Sequence, residues 1–142
     1  MAWEEFRAET AARDAGNEAR HGWPRLLGPL VEAASRTCLS RFYPYFSHHT
    51  LRFATVERHW TVFDPEPPAS IATVLGDQPE YCVWWGQICG DYERPTLVLQ
   101  TTDPQEAARL AELLTDGWPF AYPIRPRAAA VREGIFWVEA QA

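Results

Sequence analysis

Polar and apolar residues change rhythm several times along this chain, and each change marks an element. The opening WEEFRAETAARDAGNEAR is rich in helix formers but has few apolar anchors beyond Trp3 and Phe6. It reads as a helix with a thin apolar face, loosely packed or held by a partner. Gly22-Trp23-Pro24 breaks it. In PRLLGPLVEAASRTC, Pro24 suits a first helical position, and Leu26, Leu27, Leu30, Val31 and Ala34 share one face. Gly28-Pro29 offers a second point at which that helix could start. HTLRFAT then alternates, with Leu51 and Phe53 on one side and Thr50, Arg52 and Ala54 on the other. The runs HWTVF, SIATVL, EYCVWWGQI and PTLVLQT follow, the later ones separated by GDQP and CGDYER, connections suited to antiparallel hairpins.

The strongest helix signal is TTDPQEAARLAELLTDGWP. Asp103 is placed as a cap, Pro104 as the first helical residue and Glu106 as the far half of a capping box. Ala107, Leu110, Ala111 and Leu114 form its apolar stripe, and Gly117 supplies a stop. The proline-rich WPFAYPIRPR should be extended and irregular, with GIFWVEA a last strand. The order of helix, helix, strands, helix, strand predicts an α+β fold. Residues 1–142 form a single domain, with a four- to five-stranded antiparallel sheet and helices packed on one face. Residues 1–22 are its loosest part.

Composition narrows the chemistry. Each of the 13 basic residues is an arginine. Without lysine, no lysine Schiff base or lysine general base can form, and proton transfer near neutrality falls to His, Cys, a perturbed carboxylate or the substrate. The net charge of -6 and the lack of a basic patch argue against nucleic acid as a partner. No signal-like start and no long apolar run are present, so neither secretion nor membrane spanning is expected, and the reading is cytoplasmic. Cys38, Cys82 and Cys89 match neither a disulfide framework nor a zinc knuckle. Seven tryptophans in 142 residues point to an aromatic pocket, a homodimer surface or a Trp-rich core.

The segment YPYFSHHTLRF carries the candidate chemistry. Carrying the alternation of HTLRFAT back one turn puts His49 with Leu51 and Phe53 at the core edge, and His48 with Arg52 on the opposite face. A neutral imidazole beside a guanidinium could take a proton while the guanidinium holds an oxyanion. His48 and Arg52 are therefore the catalytic candidates, against the alternative of a solvated polar face. Trp84 and Trp85 fall on opposite faces of one strand. One joins the core and the other faces a groove, so Tyr45, Ser47, Trp84 and Trp85 are the substrate-binding candidates. His48, His49, His59, Glu57 and the cysteines have zinc-ligand chemistry but no zinc spacing, so no metal and no cofactor are expected.

Across residues 24 to 115, LLGPLVEAASRTCLSRFYPYFSHHTLRF followed by strands and TTDPQEAARLAELL resembles a group of small actinobacterial proteins associated with natural-product biosynthesis. That group is in turn similar to the small proteins that form lysinoalanine in duramycin- and cinnamycin-type lanthipeptides. Pro44, Ser47, Leu51 and Phe53 match its "aromatic or Leu, Pro, aromatic, x, Ser … L-x-F" pattern as scaffold. The DGWPFAYPIRPR close and added strand depart from it. The resemblance implies a tailoring enzyme acting on a peptide or small molecule, promoting an intramolecular cyclisation such as amine addition to a dehydroamino acid. The rival expectation is a non-catalytic binding module or accessory subunit with an aromatic groove.

Overall fold

The computed structural model describes residues 3–57, 66–85, 96–116, 118, 124–126 and 138–140. It is an α+β fold. Helices α1 (Trp3–His21), α2 (Leu27–Ser35) and α3 (Pro104–Thr115) lie against a five-stranded antiparallel sheet. The strands are β1 (Tyr43–Ser47), β2 (Thr50–Ala54), β3 (Ala69–Val74), β4 (Glu80–Trp85) and β5 (Thr96–Thr101), paired in simple sequence order. β6 (Ile124–Pro126) and β7 (Val138–Ala140) form a separate antiparallel pair, so the expected last strand joins β6 and not the main sheet.

β1 is the strand the pattern did not foretell. Tyr43-Pro44-Tyr45-Phe46-Ser47 pairs with β2 in the register Pro44 to Phe53 and Phe46 to Leu51. Pro44 and Phe46 therefore join Leu51 and Phe53 on the helix side. A proline is tolerated because β1 is an edge strand, with one side free of ladder bonds. The run HWTVF lies outside the described residues. Leu51, Ile71 and Val83 carry the helix-facing rows of β2, β3 and β4, each with no solvent exposure, and meet Leu30 and Val31 of α2. α3 crosses β3, β4 and β5, while α1 reaches β1 and packs on α2.

α1 is tied down by more than its two apolar anchors. Trp3 Nε1 donates to the Phe42 carbonyl at 2.8 Å, and Phe6 stacks on Phe46 at 5.5 Å between ring centroids. Thr10 turns its hydroxyl back onto the Phe6 carbonyl, leaving its methyl for the interior. Asp14 is buried, and its carboxylate accepts from the backbone N–H groups of Leu27 at 3.1 Å and Gly28 at 2.6 Å.

That contact explains where α2 begins. Pro24 lies in the connection before the helix, which starts at Leu27 without a side-chain cap of its own. Asp14 satisfies two of the orphan N–H groups, and Pro29, in the same first turn, has none to satisfy. α3 has the expected Asp103 cap, which accepts from Gln105 N at 2.9 Å. The expected capping box does not close, because Glu106 takes the Thr101 hydroxyl at 2.7 Å instead. No helix among the described residues is long and apolar enough to cross a membrane.

Candidate functional site

The two histidines are not on a strand. Ser47 pairs with Thr50, which leaves His48 and His49 as a two-residue hairpin loop. Both have positive φ, 49° and 64°. This is the signature of the turn whose twist matches that of its strands. Side-chain alternation does not extend into such a loop, so both expected placements fail. His49 is not packed with Leu51 and Phe53, and His48 does not share the strand face of Arg52. Both side chains are exposed. The turn is anchored through its backbone: the His49 carbonyl accepts from Thr73 N at 3.0 Å and the Thr73 hydroxyl at 3.1 Å.

Arg52 has a different partner. On the sheet face away from the helices it sits opposite Tyr45, and Glu66 lies over both. The Tyr45 hydroxyl donates to the two Glu66 oxygens at 2.7 and 2.8 Å, and Arg52 Nε lies 3.5 Å from Glu66 Oε1. The guanidinium carbon is 5.9 Å from the Tyr45 ring centre. Burial, then the Glu66 hydrogen bond and charge, hold Tyr45 well above the ordinary phenol range. Tyr45 is thus a proton donor to Glu66, and Arg52 is paired with a carboxylate where the sequence suggested a free oxyanion donor.

The same face carries Ser47 opposite Thr50, and Trp84 between Ser70 and Leu97. Trp84 is half-buried there, while Trp85 turns into the core. The opposition of the two tryptophans is therefore as the alternation required. The face is not an open groove, however. Ala54, Thr50, Ser70 and Cys82 on it are all buried, and the Arg52 and Glu66 side chains are only 17% and 14% exposed. Among the described residues, Ser70 Oγ and Trp85 Nε1 are buried without a hydrogen-bond partner. Cys82 behaves as a small apolar residue, its thiol pushed up by burial and then by Glu80.

An open cleft of 630 Å³ lies instead along α3. Leu99 of β5 with Leu110 and Leu113 of α3 supply its apolar surface; Arg41, Arg109, the carboxylates of Glu106, Glu112 and Asp116, and the exposed Cys38 supply its polar rim. Cys38 N donates to Glu112 Oε2 at 2.5 Å, fixing the 3₁₀ turn Cys38–Arg41 against α3. Arg41 lies over Phe42 at 4.7 Å and donates to the carbonyls of Thr115 and Trp118 at 3.2 and 3.3 Å. Its guanidinium is spent on the scaffold. Arg109 has no ion pair among the described residues. A volume of this size, partly apolar and rimmed by a few polar groups, is that of a small-molecule or peptide-side-chain site.

None of the expected site residues lines this cleft. One sequence signal pointed to it: Leu113 is a leucine off the buried stripe of α3, and it is 45% exposed. Arg109 lies four residues before it, on the same strip of helix surface. His59 and Cys89 lie outside the described residues, among which no group of three or more His, Cys, Asp or Glu side chains is arranged to hold a metal ion. No family model, curated protein or solved structure matches the chain.

Proposed function

We propose that the chain is a binding module for a peptide or small molecule, received in the cleft along α3. The observation that supports this is the cleft's lining: an apolar strip of Leu99, Leu110 and Leu113, edged by Arg109, Glu106, Glu112 and Asp116, with no imidazole among the described residues that line it. On the second sheet face Tyr45, Arg52 and Glu66 are engaged with one another. Such a lining holds a ligand by buried area, with charges of both signs at its rim to orient it.

A second reading keeps the cyclisation implied by the resemblance. Arg109 is the observation in its favour, a guanidinium without an ion pair among the described residues, at the edge of the cleft's apolar strip. In that reaction the substrate's own amine nitrogen bonds to the terminal alkene carbon of a dehydroalanine, and a proton ends on the α-carbon. Holding the two groups together lowers the barrier by on the order of 7 kcal/mol in favourable cases, without a strong catalytic residue.

A synthetic peptide carrying a dehydroalanine and a free amine separates the two. The binding reading expects a one-to-one complex by calorimetry, with the vinyl protons still present by NMR after long incubation. Replacing exposed Leu113 by Asp should weaken that complex by about tenfold or more, since an apolar contact of about 1.5 kcal/mol or better is lost. Enzyme-dependent loss of the vinyl protons supports the cyclase, because the addition leaves the mass unchanged. No binding, or binding indifferent to Leu113→Asp, overturns the assignment of the cleft.

A further inference from the structure

A second cleft, of 340 Å³, shares no lining residue with the cleft along α3. Its walls are the C-terminal half of α1, the connection around Trp23, the His49 turn and the end of β3. Two local departures from the most stable backbone choices meet there. The first is the turn. Both loop positions need positive φ, where glycine or asparagine is the usual choice, yet both hold histidine, and His49 lines the cleft. The second is Gly16, inside α1, where glycine stabilises less than alanine. A Cβ at Gly16 would stand 3.1 Å from Arg20 Nη2, so the bare backbone makes room for that guanidinium.

Arg20 Nε donates to the Gly16 carbonyl at 3.3 Å, which orients the side chain and leaves its terminal amino groups. No carboxylate among the described residues forms an ion pair with it. Arg13 is the other cation of the cleft and shares a 4.0 Å ion pair with Glu9. The one acid in the lining, Asp14, has its oxygens on the N–H groups that open α2, where the helix end offsets its charge. In a chain of net charge -6 this is a locally cationic hollow. Its apolar surface is flat and exposed: Trp23, stacked on His21 at 4.4 Å, and Leu75.

We propose that this cleft binds a small, flat, apolar carboxylic acid, its carboxylate held by Arg20 and His49 and its body lying against Trp23. The planar guanidinium fork matches a carboxylate, and an aromatic wall suits a flat body at little entropic cost. The histidine in the turn then has a use in binding beyond its place in the hairpin.

Calorimetry with indole-3-acetate and its neutral analogue indole-3-acetamide tests this on the full chain. The acid should bind once per chain, and the amide about tenfold or more weaker, the ratio expected for hydrogen bonds to a charged group. Arg20→Gln, on the exposed surface, and His49→Asn should each remove most of that preference. His49→Asn should also leave the melting temperature unchanged or raised, since asparagine tolerates positive φ better. Equal affinity for acid and amide, no binding of either, or a preference that survives both substitutions overturns the proposal. If the turn variant fails to fold, Arg20→Gln alone decides.

Discussion

Ser70 has its hydroxyl oxygen buried with no partner among the described residues, although its backbone pairs with Trp84 in the β3–β4 ladder. A buried hydroxyl that has given up water without replacement lowers stability, by about 1–3 kcal/mol in protein series. Ser70→Ala deletes that oxygen at almost constant shape. It should therefore leave the urea midpoint unchanged or raise it, by up to about 1 kcal/mol of stability. A clear loss would mean that Ser70 has a partner in solution, and the second sheet face would need to be reread. Arg52 and Tyr45 lie on that face too, and both depend on Glu66, a residue in a connection that no period of the sequence singles out.

Among the elements, α2 has the unusual dependence. Its nine residues carry no cap of their own, and Asp14 of α1 supplies one from 13 residues away. One buried carboxylate thus ends the isolation of two helices at once, through charge-assisted bonds to N–H groups at a positive helix end. Asp14→Ala leaves those donors buried and unpaired, and should destabilise by about 2 kcal/mol, within the ~1–3 expected for a lost cap plus an unsatisfied donor. Equilibrium urea unfolding with an unchanged slope would read it. A midpoint within error of the parent chain would show that packing on α1 and α3 holds α2 alone.

The whole molecule has an uncommon alkaline behaviour built into its composition. With no lysine, the side chains that change charge near pH 10 to 12 are tyrosines and cysteines. Tyr81 donates to the Leu26 carbonyl at 2.7 Å and is pushed up to about 12, by burial first and then by Asp14 and Asp103. Tyr45 is raised in the same direction by burial and Glu66. A folded state that holds a phenol proton more tightly than the unfolded chain has its full stability below the unfolded value of about 10. That stability is lost as pH rises through the folded value. Urea midpoints measured from about pH 8 to pH 11.5 should fall across the upper half of that range. Tyr81→Phe should start lower at neutral pH, having lost a hydrogen bond, but fall less steeply. An equal slope in both chains would remove Tyr81 from this account.

Repeating periods were legible because they are local. The stripe Ala107, Leu110, Ala111, Leu114 and the Asp103 cap define α3 without reference to any neighbour, and the opposition of Trp84 and Trp85 follows from strand geometry alone. So did the α+β order and the face shared by Leu51 and Phe53. What the chain could not announce were contacts across distance. The start of α2 depends on a carboxylate in α1, and Arg52 takes its partner from a connection 14 residues on. The histidines could be read as strand residues only while β1 went unrecognised. Once Tyr43–Ser47 pairs with β2, two residues remain to reverse the chain, and the twist of the ladder imposes positive φ on both whatever their side chains prefer. Local periodicity thus settled α3 and the apolar faces of β2 and β4, but not β1, whose existence shows only in its pairing. Pairing in three dimensions decided where the polar groups point, because a buried or paired charge must find its partner wherever the fold brings one.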